Sequence, residues 1–221
     1  SMEFEAVKDR VVYQVLNKEV SRNSLRERVY TDIGYGLVKV YVILHELDDF
    51  GTKGGTAITN NMMQYYGYDM QDIQAVAEKN TPRIYPADFI QIEQVLTGRK
   101  QNEFANENSD GEGLYVLSNS DAYRGAGGLF YPGMQEKIAE HFGKNYYVLP
   151  CSVHEVLILP EKPGLKVCEL EQKVRRINRE AVSKEDFLSN KVLFYDREKE
   201  QLRIALPDVP DLQLEDQNLE R

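Results

Sequence analysis

The chain has 221 residues, of which 42% are hydrophobic and 29% charged. That length suits one large domain or two small ones, and that composition excludes disorder of the whole chain. A net charge of −9 argues against a nucleic-acid partner, because phosphate contacts rest on cations.

Phe4 to Val20 carries a helical apolar stripe, while Arg10 to Leu16 reads equally well as a strand; a helix running into a strand is expected. Ser21 to Asp32 is polar and reads as a loop. Gly36 to Leu47 alternates β-branched and aromatic residues, which predicts a strand. Asp48-Asp49-Phe50-Gly51 and Gly54-Gly55 are turn chemistry, and Thr56 to Thr59 returns as a second strand. Asn60 is expected to cap a helix that Gly67 stops. Asp69 opens another, carrying Met70, Ile73, Val76 and Ala77 and ended by Asn80 and Pro82. Pro86 opens a third, with Phe89, Ile92, Val95 and Leu96.

The stretch 99–113 is polar, rich in turn residues and nearly free of apolar ones. Later elements are a strand at Leu114 to Leu117, a loop at Ser118 to Gly128 and a helix at Leu129 to His141. Strands follow at Tyr146 to Leu149 and Val153 to Leu159, then a helix at Glu169 to Ile177. Ser183 caps a short helix, and Val192 to Tyr195 with Leu202 to Ala205 makes a hairpin. The expected architecture is α+β, with a mixed, largely antiparallel sheet, flanking helices and two lobes. Residues 1–98 form a helix-rich lobe, 99–113 a linker or long loop, 114–206 a sheet-rich lobe and 207–221 a flexible acidic tail.

Several separated motifs occur in a characteristic order: Val11-Val-Tyr-Gln-Val-Leu-Asn17, Asn80-Thr-Pro-Arg83, Tyr115-Val-Leu-Ser-Asn119, Gly125-Ala126, Leu129-Phe-Tyr-Pro-Gly133 and Tyr147-Val-Leu-Pro-Cys-Ser-Val-His-Glu-Val156. Asn178-Arg-Glu180, Leu188-Ser189 and Tyr195-Asp-Arg197 add to them. Together they resemble an uncharacterised bacterial family, domain of unknown function 5688, over nearly the whole chain. The resemblance implies no activity. It implies a further segment ahead of Phe4, so a shortened form is expected; Ser1 ahead of Met2 points the same way. The family also has serine more often than cysteine at the position of Cys151, which argues against a nucleophilic thiol there.

Cys151 and Cys168 make no CxxC pair, so neither a disulfide framework nor a zinc ribbon is expected, and reduced cytoplasmic thiols are the default. No apolar run approaches the roughly 20 residues that span a bilayer, and no signal peptide opens the chain; no membrane partner is expected. Lys173, Arg175, Arg176 and Arg179 read as the solvated face of a helix. His45 with Glu46, Asp48 and Asp49 lacks ligand spacing and reads as a hairpin turn, so no metal or cofactor is expected.

Two candidate surfaces remain. Asn119, Arg124, Gly125 and Gly127 lie in a glycine loop between a strand and a helix, where backbone N–H groups can meet an anion. Ser152, His154 and Glu155 open the following strand, with His154 and Glu155 on opposite faces. Tyr65, Tyr66 and Tyr68 form an aromatic cluster suited to partner recognition. The expected function is a non-catalytic cytoplasmic binding or protein-interaction module. The alternative is a small-ligand-binding or hydrolase-like domain, with its site where the glycine loop meets Ser152 to Glu155.

Overall fold

The computed structural model describes residues 2–45, 54–99 and 101–208. The fold is α+β, built on two sheets in which every strand pair is antiparallel. A short helix α1 (Phe4–Val7) and a 3-10 turn lead into strand β1 (Val11–Asn17), as the ambiguous periodicity implied. Helix α2 (Arg22–Leu25), strand β2 (Tyr30–Gly34), strand β3 (Leu37–Leu44) and strand β4 (Gly55–Ala57) follow. The first sheet has the order β1-β3-β2, and β4 also pairs with β3. The expected loop at Ser21 to Asp32 is therefore corrected. Its polar residues hide a helical turn and the start of an edge strand, whose outward positions are wet. The expected turn at Asp48 to Gly51 lies outside the described residues.

Helix α3 (Asn60–Tyr66) is capped by Thr59, whose Oγ1 accepts the N–H of Met62 at 3.2 Å, rather than by Asn60. Gly67 closes it in the left-handed conformation. Helix α4 (Met70–Ile84) opens on Asp69 and runs straight through Asn80 and Pro82. Those two residues do not end it, because its last turn is held from outside. Asn80 Nδ2 donates to the carbonyls of Lys8 and Val11 at 2.7 and 3.0 Å. Thr81 Oγ1 accepts the N–H of Tyr13 at 3.0 Å, and Arg83 Nη2 donates to the Asp9 carbonyl at 2.8 Å. The Asn80-Thr-Pro-Arg83 motif is thus a clamp on the chain leading into β1.

The third expected helix is replaced by strand β5 (Ala87–Gln91) and a single helical turn, α5 (Ile92–Leu96). Phe89 and Ile90 are buried in that strand, and its pairing with strand β6 (Tyr115–Asn119) outweighs the helical spacing. Helix α6 (Met134–Phe142) starts after Pro132-Gly133, later than expected, because Leu129 belongs to a 3-10 segment over Gly125–Phe130. Strand β7 (Tyr146–Leu149) is where its composition put it. Strand β8 (Val156–Pro160) begins three residues late, and helix α7 (Val167–Ala181) carries the basic run on its exposed face. Ser183 opens a turn rather than a helix, followed by strand β9 (Leu193–Asp196) and strand β10 (Gln201–Ile204).

The second sheet has the order β10-β9-β7-β8-β6-β5. Alternation along β7 divides its two faces. Tyr147 and Leu149 pack against Val167, Leu170 and Val174 of α7, while Tyr146 and Val148 join a core shared with the first sheet. That shared core includes Tyr13 of β1, whose ring lies edge-on to Tyr131 at 6.2 Å. The polar stretch before β6 is a loop with internal structure. Glu103 within it is 1% exposed and is held by Gln94 Nε2 at 3.0 Å. No helix among the described residues is long and apolar enough to cross a membrane.

Candidate functional site

Five of the seven residues singled out around the glycine loop converge. Asn119 ends β6 and folds the next turn around itself. Its Oδ1 accepts the N–H groups of Asp121 and Tyr123, both at 3.1 Å, and its Nδ2 donates to the Tyr123 carbonyl at 2.6 Å. That turn delivers Arg124, at φ 55° in the left-handed region, over the segment leading into β8. Its backbone N–H donates to Nδ1 of His154 at 3.0 Å. Gly125 follows because nothing larger fits. A Cβ there would stand 2.3 Å from Ser118 Oγ, 2.6 Å from the Asn119 nitrogen and 2.7 Å from the His154 carbonyl oxygen.

His154 is held on every polar side. Its Nε2 lies 2.9 Å from Asp186 Oδ1, its carbonyl accepts from Ser118 Oγ at 2.7 Å, and its N–H donates to Ser152 Oγ at 3.0 Å. Since a backbone N–H only donates, Nδ1 must accept, and the ring proton sits on Nε2 facing Asp186. Hydrogen bonds from Ser183 and then His154 hold the Asp186 carboxyl below its ordinary range. The segment Cys151 to Val153 is threaded between two neighbours: Ala126 donates to the Val153 carbonyl, and Val153 donates to the Asp186 carbonyl at 2.8 Å.

The other two residues stand apart. Gly127 faces β1, its carbonyl accepting from Tyr13 Oη at 3.2 Å. Glu155 is exposed, and its charge acts on Cys151. Burial first, and then Glu155, push the Cys151 thiol up to about 12, which leaves it protonated and a poor nucleophile at neutral pH. No hydroxyl or thiol is hydrogen-bonded to the His154 ring among the described residues. The arrangement locks two loops together, and the His154 ring makes no nucleophile–base contact among the described residues.

Beside it lies a crevice of about 10 Å³, lined by Asn119, Tyr123, Arg124, Gly127 and the rings of Tyr13, Tyr85 and Tyr131. That is room for one water. Arg124 Nε is buried there with no hydrogen-bond partner among the described residues. Of the tyrosine cluster, Tyr65 is 82% and Tyr66 38% exposed, whereas Tyr68 is buried and bonds the Met2 carbonyl. Tyr66 stacks on Tyr68 at 5.6 Å, and Tyr65 meets Tyr66 edge-on at 4.8 Å. His45 bonds Thr56 Oγ1 at 2.7 Å; Glu46, Asp48 and Asp49 lie outside the described residues. No group of three His, Cys, Asp or Glu among the described residues could hold a metal ion.

Sequence reasoning missed Asp186. It lies 32 residues from His154, and its only sequence signal, a place three residues after Ser183, suits the first turn of a capped helix equally well. These features define an α+β protein with two antiparallel sheets and a pair of loops locked together through His154. The family model for DUF5688, a family of unknown function, matches residues 1–197, and the chain belongs to that family. Neither a curated protein nor a solved structure matches it.

Proposed function

We propose that this chain is a non-catalytic binding module of the bacterial cytoplasm that engages a protein partner through the tyrosine face of α3. The observation that carries the reading is the exposure of Tyr65 and Tyr66 on a rigid base. Stacking on buried Tyr68, whose ring is edge-on to Phe4 at 5.8 Å, fixes the rings in advance. Tyrosine then supplies contact area at small entropic cost. The non-catalytic part is supported by His154, whose two ring nitrogens are both engaged. Two free thiols, one of them exposed, suit a reducing compartment.

A pull-down from extract of the source cells tests it. A Tyr65→Ala, Tyr66→Ala double variant is expected to lose a partner that the wild type retains. Unchanged capture of every partner counts against this surface. Tyr68 is left intact because its burial makes it part of the core.

A second reading, a small-ligand site at the glycine loop, is favoured by the unpartnered Arg124 Nε in the crevice. It requires the crevice to open. Arg124→Lys removes that buried N–H, so unchanged small-anion affinity in this variant argues against it.

A further inference from the structure

The junction of the two sheets carries a groove of about 540 Å³, within the range of small-molecule sites. One wall is α2 and the tip of the β2–β3 hairpin; the other is the segment leading into β9. Lys18, Arg22, Arg26 and Lys191 line it, against a single lining carboxylate, Glu19. On a chain of net charge −9, this is a local reversal of sign that focuses an anion.

Two of the four cations are neutralised: Lys18 by Asp32 at 2.7 Å and Arg22 by Glu19 at 3.1 Å. Arg26 and Lys191 have no ion-pair partner among the described residues. Lys191 reaches back to the hairpin, its Nζ 3.8 Å from where a Cβ on Gly36 would stand. The rest of the lining mixes Asn17 and Ser189 with Leu25, Gly36 and the rings of Tyr30, 40% exposed, and Tyr35, half-buried.

The walls are fixed across the junction. Asn17 Nδ2 donates to the Leu188 carbonyl at 2.9 Å, and Tyr35 Oη to the Leu202 carbonyl at 2.8 Å. Tyr35 has a φ of 61°, unusual for a non-glycine residue, in the tight turn it shares with Gly34 and Gly36.

We propose that this groove binds a small anionic molecule with a flat apolar body, its acid group between Arg26 and Lys191 and its body against Tyr30 and Tyr35. The site is separate from the tyrosine face of α3, and either can fail without the other.

Fluorescence titration with anilinonaphthalene sulfonate tests it, with uncharged N-phenylnaphthylamine as the matched probe without an acid group. The sulfonate is expected to bind saturably at one site, and the uncharged probe at least about tenfold more weakly. Arg26→Glu and Lys191→Glu are each expected to weaken sulfonate binding by about tenfold. Both side chains are exposed, so the variants are expected to fold, and their melting temperatures check it. Arg175→Glu, on the basic face of α7, controls for long-range charge and is expected to change affinity less than about twofold. Absence of saturable binding overturns the proposal, as does equal affinity for the uncharged probe. So does unchanged affinity in Arg26→Glu and Lys191→Glu, or an equal loss in Arg175→Glu.

Discussion

The backbone N–H of Arg124 donates to Nδ1 of His154 at 3.0 Å, and this bond decides what the imidazole can do. With Nδ1 spent on an amide and Nε2–H on Asp186, the ring has no lone pair left for a substrate proton. A histidine beside serine and carboxylate in sequence is here a latch between the turn after β6 and the start of β8.

The latch is expected to be worth a measurable part of the stability. His154→Ala strands the Arg124 amide and removes the contact to Asp186, costing about 1–3 kcal/mol. His154→Asn keeps an acceptor near the place of Nδ1 and is expected to recover part of that loss. Urea denaturation measures both. Amide exchange at Arg124 distinguishes a local opening, which Asn suppresses and Ala does not, from a uniform loss.

Gly125 and Gly128 are three residues apart and are expected to differ sharply in their tolerance of an added methyl. At Gly125 a Cβ meets two backbone atoms inside 2.8 Å, one at the end of β6 and one just before β8, so neither neighbour yields without a backbone shift. Gly125→Ala is expected to cost about 1–3 kcal/mol or more. At Gly128 the nearest atom to a new Cβ is 3.7 Å away, an ordinary contact, so Gly128→Ala is expected to stay within about 1 kcal/mol. Thermal melting of the two variants makes the comparison.

That glycine contrast also marks how far the residues alone could be read. The loop's glycines and its place between strand and helix were legible, because turn chemistry and strand periodicity are local. The helix at Glu169 to Ile177, which in the structure extends over Val167–Ala181, and the strand at Tyr146–Leu149 were legible for the same reason. What was not legible depends on distant partners. Phe89 and Ile92 show helical spacing, yet Phe89 sits in β5 because it pairs with Leu117. Pro82 reads as a stop, yet α4 continues because Asn80 and Thr81 bond the chain at Lys8, Val11 and Tyr13. Asp186 and Lys191 could not be placed from the residues around them, since His154 and the β2–β3 hairpin that they meet come from far along the chain.

The two thiols are expected to differ in alkylation by access. Cys151 is buried, its thiol pushed up to about 12 by burial and Glu155. Cys168 is exposed, and a hydrogen bond to Asp208 is the main influence raising its thiol. Iodoacetamide near pH 8 is expected to modify Cys168 slowly and Cys151 only after denaturant is added. Mass spectrometry of digests locates the label. Labelling of Cys151 in the folded protein at the rate of Cys168 would falsify the buried placement.

His141 is expected to make the fold sensitive to mild acid. Its Nε2 lies 3.1 Å from Ser109 Oγ and 3.9 Å from Glu103 Oε2, and its ring is edge-on to Phe89 at 5.6 Å. Burial holds the imidazole below its ordinary range, and the Glu103 charge opposes that only in part. The unfolded chain therefore takes up the proton first as pH falls. The contribution is fully present above the unfolded value of about 6.5 and is lost as pH drops from there toward the lowered folded value. The wild type is expected to lose more melting temperature between about pH 7.5 and 5.5 than His141→Gln, which keeps a polar group but cannot titrate. Parallel loss in both proteins would show that another group sets the acid limit and that Glu103 neutralises the ring charge fully.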